Sequence, residues 1–231
     1  MDEPPAAAPR RSAPRRAVAF FDPAEPGFLR RMGRLALAAV GLGVCGVCGA
    51  VAAWTQTPTG RYWTAVVWLE AERYDWAVAA AEGLVRDHPD RSYADYRLLA
   101  TALRRSGQPE AQMAVYDAAV ARFPDHSLAH SHRCWYGTLF ADPVTVMRSC
   151  DRAIEISEGG SGSAFARRAV ARALTGDRPG AIADLEAALS IWDARDFRGR
   201  TYDTRAEWLA ALRAGEDPFD AETLEQLRRE F

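Results

Sequence analysis

A pattern of small and apolar residues recurs at a nearly constant interval along the chain. Leu84, Ala119, Ala153 and Ala188 hold equivalent places in four copies and lie 35, 34 and 35 residues apart. The residues seven and three positions before them are Ala77 and Ala81, Gln112 and Tyr116, Val146 and Cys150, and Ala181 and Leu185. A fixed period of this length is typical of stacked helix pairs, because one pair can bury its apolar side only against the next. The repeat therefore predicts an all-α solenoid.

The repeat resembles the tetratricopeptide repeat, a helix-turn-helix unit of about 34 residues with a W-x2-L-G-x2-Y pattern followed by A-x3-F and a closing proline. The second copy matches this pattern best, with Tyr96, Leu99, Ala100, Leu103, a turn at Gly107, and then Tyr116, Ala119 and Pro124. The third copy departs from the pattern, since Ala141-Asp142 replaces the turn glycine and no proline closes the repeat. The resemblance covers residues 59–193 and implies about four helix pairs within residues 55–198.

The sequence after residue 199 no longer follows the repeat. Residues 199–231 predict a pair of capping helices, with Trp208, Leu209 and Leu212 on the apolar side of the first. Gly215 ends this helix, and Asp220 is placed to cap the second. We expect this pair to cover the last repeat and to present charged residues to water.

The resemblance implies that the first helices of the pairs line a concave face that binds another protein. In this register the face contains Tyr62, Val66, Arg97, Thr101, Arg104, Ser131, Trp135 and Thr138. Family members that clamp peptide carboxylates use Lys and Asn in the first repeat, where this chain has Tyr62 and Val66, so that specificity does not carry over. Arginine and aromatic side chains predict instead an extended segment with acidic and apolar side chains. The alternative is that the arginines are only solvated and that Trp135 packs internally.

An uninterrupted apolar run precedes the repeats. No charged residue lies between Arg34 and Arg61, and residues 35–54 are long enough to cross a bilayer as one helix. Gly41, Gly43 and Gly46 match a dinucleotide-binding pattern, but a Rossmann site needs a strand before it and a helix with a polar outer face after it. Cys45-x-x-Cys48 lies in the same run, where lipid disfavours the thiolate that redox chemistry needs.

Seven arginines lie before the apolar run in a tail, residues 1–34, that is rich in Pro, Ala and Arg and cannot build a core. The positive-inside rule places this tail in the cytoplasm and the repeats outside it. The sequence thus predicts a single-pass membrane protein that contacts the bilayer through residues 35–54. The alternative is a cleaved signal sequence, because Ala50-Val51-Ala52 resembles a cleavage site and would release an extracytoplasmic protein.

Cys134 and Cys150 lie on the two predicted helices of the third pair, at inward positions of the register. Outside the cytoplasm they could form a disulfide, and the alternative is a pair of buried thiols. His126, His130 and Cys134 are spaced by four residues and could line one helix face as metal ligands or as part of a redox-active site. Against this, Pro124 and Asp125 predict that His126 precedes the helix.

Neither a catalytic motif nor a cofactor motif remains after these exclusions. The formal net charge of −2 gives no general indication of nucleic-acid binding. We therefore expect no enzyme activity, no metal and no cofactor, and interpret the chain as a membrane-anchored scaffold or adaptor for other proteins.

Overall fold

The computed structural model describes residues 53–230, and this part of the chain contains helices and no β-strand. Eight of the helices form four consecutive pairs: α1 Pro58–Glu70 with α2 Tyr74–Asp87, α3 Tyr93–Arg105 with α4 Pro109–Arg122, α5 Ser127–Phe140 with α6 Pro143–Ile156, and α7 Gly162–Leu174 with α8 Arg178–Asp193. The two helices of each pair contact each other, and each second helix contacts the first helix of the next pair. This arrangement confirms the predicted all-α solenoid.

The turns within the pairs use two different devices. Gly107 and Gly176 have φ angles of 77° and 85°, in the left-handed region that glycine adopts most easily. In the third pair the backbone at Ala141 is extended instead, and the Asp142 side chain accepts a hydrogen bond from the Val144 amide at 2.9 Å. Asp142 therefore caps the N-terminus of α6 in the one copy that lacks a turn glycine among the second, third and fourth.

The repeating positions of the sequence form the centre of the solenoid. All twelve have no more than 1% of their surface exposed: Ala77, Ala81, Leu84, Gln112, Tyr116, Ala119, Val146, Cys150, Ala153, Ala181, Leu185 and Ala188. Small side chains at many of these positions let the helices of a pair approach closely, and the larger ones fill the space between pairs. The sequence therefore repeats at the interval at which buried residues recur in the centre of the solenoid.

Most of the buried apolar residues form two large clusters. One joins the first two pairs and runs from Ala65 to Leu103. The other begins at Trp135 in the third pair and continues through the fourth pair to Leu227 near the end of the chain. Two smaller clusters, around Tyr93 and around Cys134, overlap these two in the sequence.

Two further helices follow the fourth pair, α9 Arg200–Ala214 and α10 Ala221–Glu230. Gly215 ends α9 in the left-handed conformation, and the Asp220 carboxylate accepts a hydrogen bond from the Thr223 amide at 2.8 Å. However, α10 does not lie only on the last pair. It contacts α5 of the third pair, and Arg228 Nε donates a hydrogen bond to the Leu139 carbonyl at 2.7 Å.

The predicted tail at residues 1–34 lies outside the described residues. So does the predicted membrane segment at residues 35–54, apart from its last two residues. Within residues 53–230, no helix is both long enough and apolar enough to cross a membrane.

Candidate partner-binding face

The first helices of successive pairs form one continuous side of the solenoid. Helix α1 contacts α3, and α5 contacts α7, in addition to the contacts within each pair. Helices on the inside of a curved solenoid lie closer together than those on the outside, so these contacts favour the first helices as the concave side. We call this side the inner face and define it by Tyr62, Arg97, Thr101, Arg104 and Arg167.

Four of the eight predicted binding residues remain accessible to a partner. Arg97 is exposed, and Tyr62, Thr101 and Arg104 are half-buried. The Thr101 hydroxyl donates a hydrogen bond to the Arg97 carbonyl at 2.8 Å, as expected within one helix. The Arg104 Nε atom is buried and has no hydrogen-bond partner among residues 53–230. A buried donor in this state is costly, and a bound acceptor would remove that cost.

The other four predicted residues are buried, so their predicted exposure is wrong. Val66 packs in the cluster of the first two pairs. Ser131 and Thr138 are 2% and 4% exposed, and the Thr138 hydroxyl donates to the Cys134 carbonyl at 2.7 Å.

Trp135, the fourth of these residues, is 2% exposed and shares a cluster with Leu227 of α10. The repeat register does not include α10, which lies outside the repeats. In the structure α10 packs against α5, and Trp135 belongs to the core that includes this helix.

Many arginines elsewhere in the solenoid pair with acidic residues, whereas those of the inner face do not. The paired arginines include Arg61 with Asp87, Arg91 with Asp95, Arg122 with Asp90, Arg133 with Asp117, Arg152 with Asp125, and Arg168 with Asp151 and Asp184. Within the described part of the chain, Arg97, Arg104 and Arg167 form no ion pair. The cause lies in the sequence, because Asp95 is the only acidic residue in α3, α5 and α7, and it is buried against Arg91.

A cluster of aromatic and polar side chains lies beside these arginines. The Tyr93 hydroxyl contacts His132 Nδ1, and the rings of Tyr116 and Tyr136 stack with their centroids 5.1 Å apart. Burial, together with the charges of Arg167 and Arg97, lowers the pKa of His132 to about 3. Burial also raises the pKa of Tyr93. At neutral pH the imidazole is therefore uncharged and the phenol protonated, so the hydroxyl can donate to the ring nitrogen.

The structure joins Cys134 of α5 to Cys150 of α6 by a disulfide, with the two Cα atoms 4.9 Å apart. The equivalent register positions of the other pairs are also buried and hold Ala65 and Ala81, Ala100 and Tyr116, and Ala169 and Leu185. The cysteines thus occupy positions that are buried in every pair.

The structure does not assemble the alternative metal site. The His126 ring lies 4.5 Å from that of Tyr93, whereas His130 Nε2 lies 2.9 Å from the Pro124 carbonyl oxygen, and Cys134 is bonded to Cys150. His126 precedes α5, so the three residues do not share one helix face. Within residues 53–230, no group of three His, Cys, Asp or Glu side chains is arranged to hold a metal ion.

Sequence reasoning did not identify Arg167, His132 or Arg205 as candidate binding residues. For Arg167 and His132 a signal was present, because α5 and α7 together carry basic residues and no acidic residue. No comparable signal existed for Arg205, because it belongs to α9, outside the repeat register.

Comparison with known proteins identifies the fold. No protein-family model and no curated protein sequence matches this chain. Among solved structures, the thermophilic TPR protein TTC0263 of Thermus thermophilus is similar with a TM-score of 0.51 and 20% identity, over 78% of this chain and 99% of that one. YrrB, described as a TPR protein with an unusual peptide-binding site, is similar with a TM-score of 0.54 and 18% identity, over 78% and 90%. A MamA double mutant gives 0.55 and 12%, over 74% and 96%. Residues 53–230 therefore have the fold of tetratricopeptide repeat proteins.

Proposed function

We propose that this protein is a membrane-anchored scaffold that binds an extended, acidic and apolar segment of another protein along its inner face. The observation that carries the proposal is the contrast in charge pairing. Arg97, Arg104 and Arg167 form no ion pair with any residue between 53 and 230, while many arginines around them do. Guanidinium groups that are left without carboxylates are suited to bind those of a partner. The peptide-binding site in the description of YrrB agrees with this use of the fold.

The shape and composition of the accessible surface also favour an extended partner. Arg97, Thr101 and Arg104 lie on one side of α3 at helical spacing, and Tyr62 lies on the neighbouring α1. Tyr62 supplies an aromatic surface for apolar side chains. Because α10 contacts α5, we place the open part of the surface on the first two pairs and along the edge of the third. The protein then acts by holding its partner, without catalysis.

The anchoring is the second part of the proposal. Residues 35–54 would span the bilayer, with the arginine-rich tail in the cytoplasm and the solenoid outside. The Cys134–Cys150 pair is compatible with such an oxidising location. The other candidate is a released extracytoplasmic adaptor, which the possible cleavage site at Ala50-Val51-Ala52 favours.

One crosslinking experiment tests both parts. A photoreactive amino acid replaces Thr101 on the inner face and, in the control, Val144, which is 67% exposed on α6. Membranes are irradiated first and then washed with carbonate, so that the partner is still bound when it is crosslinked and only anchored protein is examined. We expect a product at position 101, with a crosslinked peptide rich in acidic and apolar residues. Equal products at both positions would contradict the inner face, and a soluble mature chain beginning near Ala53 would contradict the anchor.

Charge reversal then measures the contribution of the arginines. The double substitution R97E/R104E should weaken partner binding at least tenfold, because two attractive contacts become repulsive. The matched control is R105E/R148E, which makes the same change in net charge at two exposed arginines that do not belong to the inner face. Both variants should unfold at nearly the wild-type temperature, since such surface changes usually cost about 0.5 kcal/mol or less. Equal binding by the two variants would contradict the proposal.

A further inference from the structure

A small cavity lies between α7 and α9 at the end of the inner face. Its volume is about 110 Å³, and its walls include Arg167 and Ser163 from α7, Arg205 and Thr201 from α9, and the indole rings of Trp135 and Trp192. The lining contains two cations and two hydroxyl groups and no carboxylate. A cavity of this composition attracts an anion.

Arg167 gives the strongest indication of what the cavity binds. Its guanidinium is mostly buried, and its Nη1 atom donates a hydrogen bond to the Ser131 hydroxyl at 2.7 Å. Burial lowers the pKa of Arg167, but an arginine in a protein stays charged at neutral pH. It forms no ion pair within the described residues, so the free protein carries a buried positive charge without a counter-charge. Such a charge is costly unless an anion compensates it.

Arg205 supplies a second cation from a different helix. Its guanidinium carbon lies 4.4 Å from the centroid of the Trp208 ring, which supports the side chain at the edge of the cavity. Ser163 and Thr201 are exposed, so a ligand can enter from solvent. A carboxylate can accept two parallel hydrogen bonds from a guanidinium, and the two indole rings would contact the methylene groups behind it.

We propose that this cavity is a carboxylate pocket that binds a glutamate or aspartate side chain of the partner segment. This assignment rests on the proposed function, and it gives the inner face a fixed anchor point for one acidic residue. The pocket is formed by the fourth pair and α9 and lies beside Trp135, which sequence analysis placed on the binding face. A free small carboxylate has the same chemistry and is the alternative source.

A titration of the purified chain tests the pocket without the natural partner. The probes are acetate, the blocked peptide acetyl-Leu-Ala-Glu-Ala-Leu-amide and its Gln counterpart, and the readout is the indole N–H signals of Trp135 and Trp192 by NMR. We expect the Glu peptide to shift both signals and to bind at least tenfold more tightly than the Gln peptide or acetate. Equal binding of the Gln peptide would overturn the pocket. Acetate that binds as tightly as the Glu peptide would overturn its assignment to a partner side chain.

Substitutions separate a binding role of Arg167 from a structural one. R167Q should weaken binding of the Glu peptide at least tenfold, and the free variant should melt at or above the wild-type temperature, because an uncompensated charge has been removed. R148Q, at an exposed arginine of α6, is the control and should bind as wild type does. If R167Q lowers the melting temperature and R205Q binds normally, the proposal is overturned. These measurements need no partner, so they can fail or succeed independently of the R97E/R104E experiment.

Discussion

Arginines between the helices and arginines on the inner face have the same chemistry but opposite surroundings. Arg168 and Arg172 share the buried carboxylate of Asp184, and Arg168 also reaches Asp151. Arg97 and Arg167 lie on neighbouring parts of the same solenoid and form no ion pair with a carboxylate among residues 53–230. The first group is a structural set in which the fold supplies both charges. The arginines of the second group have no counter-charge among residues 53–230, and in our proposal a bound partner supplies it. The first group thus contributes to stability and the second to binding.

The largest loss of stability should follow from removing the carboxylate that Arg168 and Arg172 share. Asp184 is 2% exposed and accepts hydrogen bonds from Arg168 Nε at 2.8 Å and Nη2 at 2.7 Å. D184N leaves two guanidinium groups without their main counter-charge, and breaking a buried pair of this kind costs about 3 to 5 kcal/mol. We expect the free energy of unfolding in urea to fall by about that amount.

The matched control for D184N is D117N. Asp117 pairs with Arg133, but its side chain is 54% exposed, so this change should cost about 1 kcal/mol or less. If D184N lowered the free energy of unfolding no more than D117N does, the pairs of Arg168 and Arg172 with Asp184 would not stabilise the fold. They would then not differ in this respect from the arginines of the inner face.

The disulfide links α5, the first helix of the third pair, to α6, and its removal measures how much this link stabilises the fold. The Cys134–Cys150 bond closes a short loop, and in the chain-entropy model a loop of this size stabilises a protein by about 3 kcal/mol. Reduction, or the double substitution C134A/C150A, should lower the free energy of unfolding by about this amount. Mass spectrometry of native material without reductant should find the linked peptides. Two free thiols there would contradict both the bond and the extracytoplasmic location.

A smaller change of stability with pH should come from His132, which lies beside Arg97 and Arg167. The pKa of His132 is lowered to about 3 in the folded protein from its ordinary value of 6.5, so the unfolded state binds more protons below pH 6.5. Stability is therefore lost as the pH falls from 6.5 towards 3, and this residue alone should account for about 2 kcal/mol between pH 7 and pH 5.

H132Q removes this titrating group, so its loss of stability between pH 7 and pH 5 should be smaller than that of the wild type by about the same amount. Each protein is compared with itself at two pH values, which cancels any constant cost of the substitution. Identical pH dependence in the two proteins would show that His132 is not held uncharged beside Arg97 and Arg167.

The sequence predicted the parts of the fold that repeat. Leu84 and its equivalents recur with the period that packing requires, so the helix pairs and their buried centres could be derived from spacing alone. The same register predicted Arg97 and Arg104 as accessible residues. It could not predict the burial of Trp135, because that burial involves α10, which is distant in sequence and follows no repeat.

The carboxylate pocket could not be predicted from the sequence for a related reason. Arg167 and Arg205 are far apart in the chain, because one belongs to a repeat helix and the other to a capping helix. Only the path of the chain after residue 193 brings both side chains to one cavity. Spacing rules describe residues within one repeating unit, whereas this cavity forms where the repetition ends.

The contact between α10 and α5 has a consequence for how the molecule unfolds. In a simple solenoid each pair touches only its neighbours, so unfolding can begin at either end and proceed one pair at a time. Here the hydrogen bond from Arg228 to Leu139 spans 89 residues, and one apolar cluster connects the third pair to the end of the chain. We therefore expect the third pair, the fourth pair and the two final helices to unfold as one cooperative unit, with amide hydrogens that exchange together. The first two pairs have their own cluster but also contact the third pair through Tyr93 and Tyr116, so we expect their amide hydrogens to exchange faster than those of the remainder, though not independently of it.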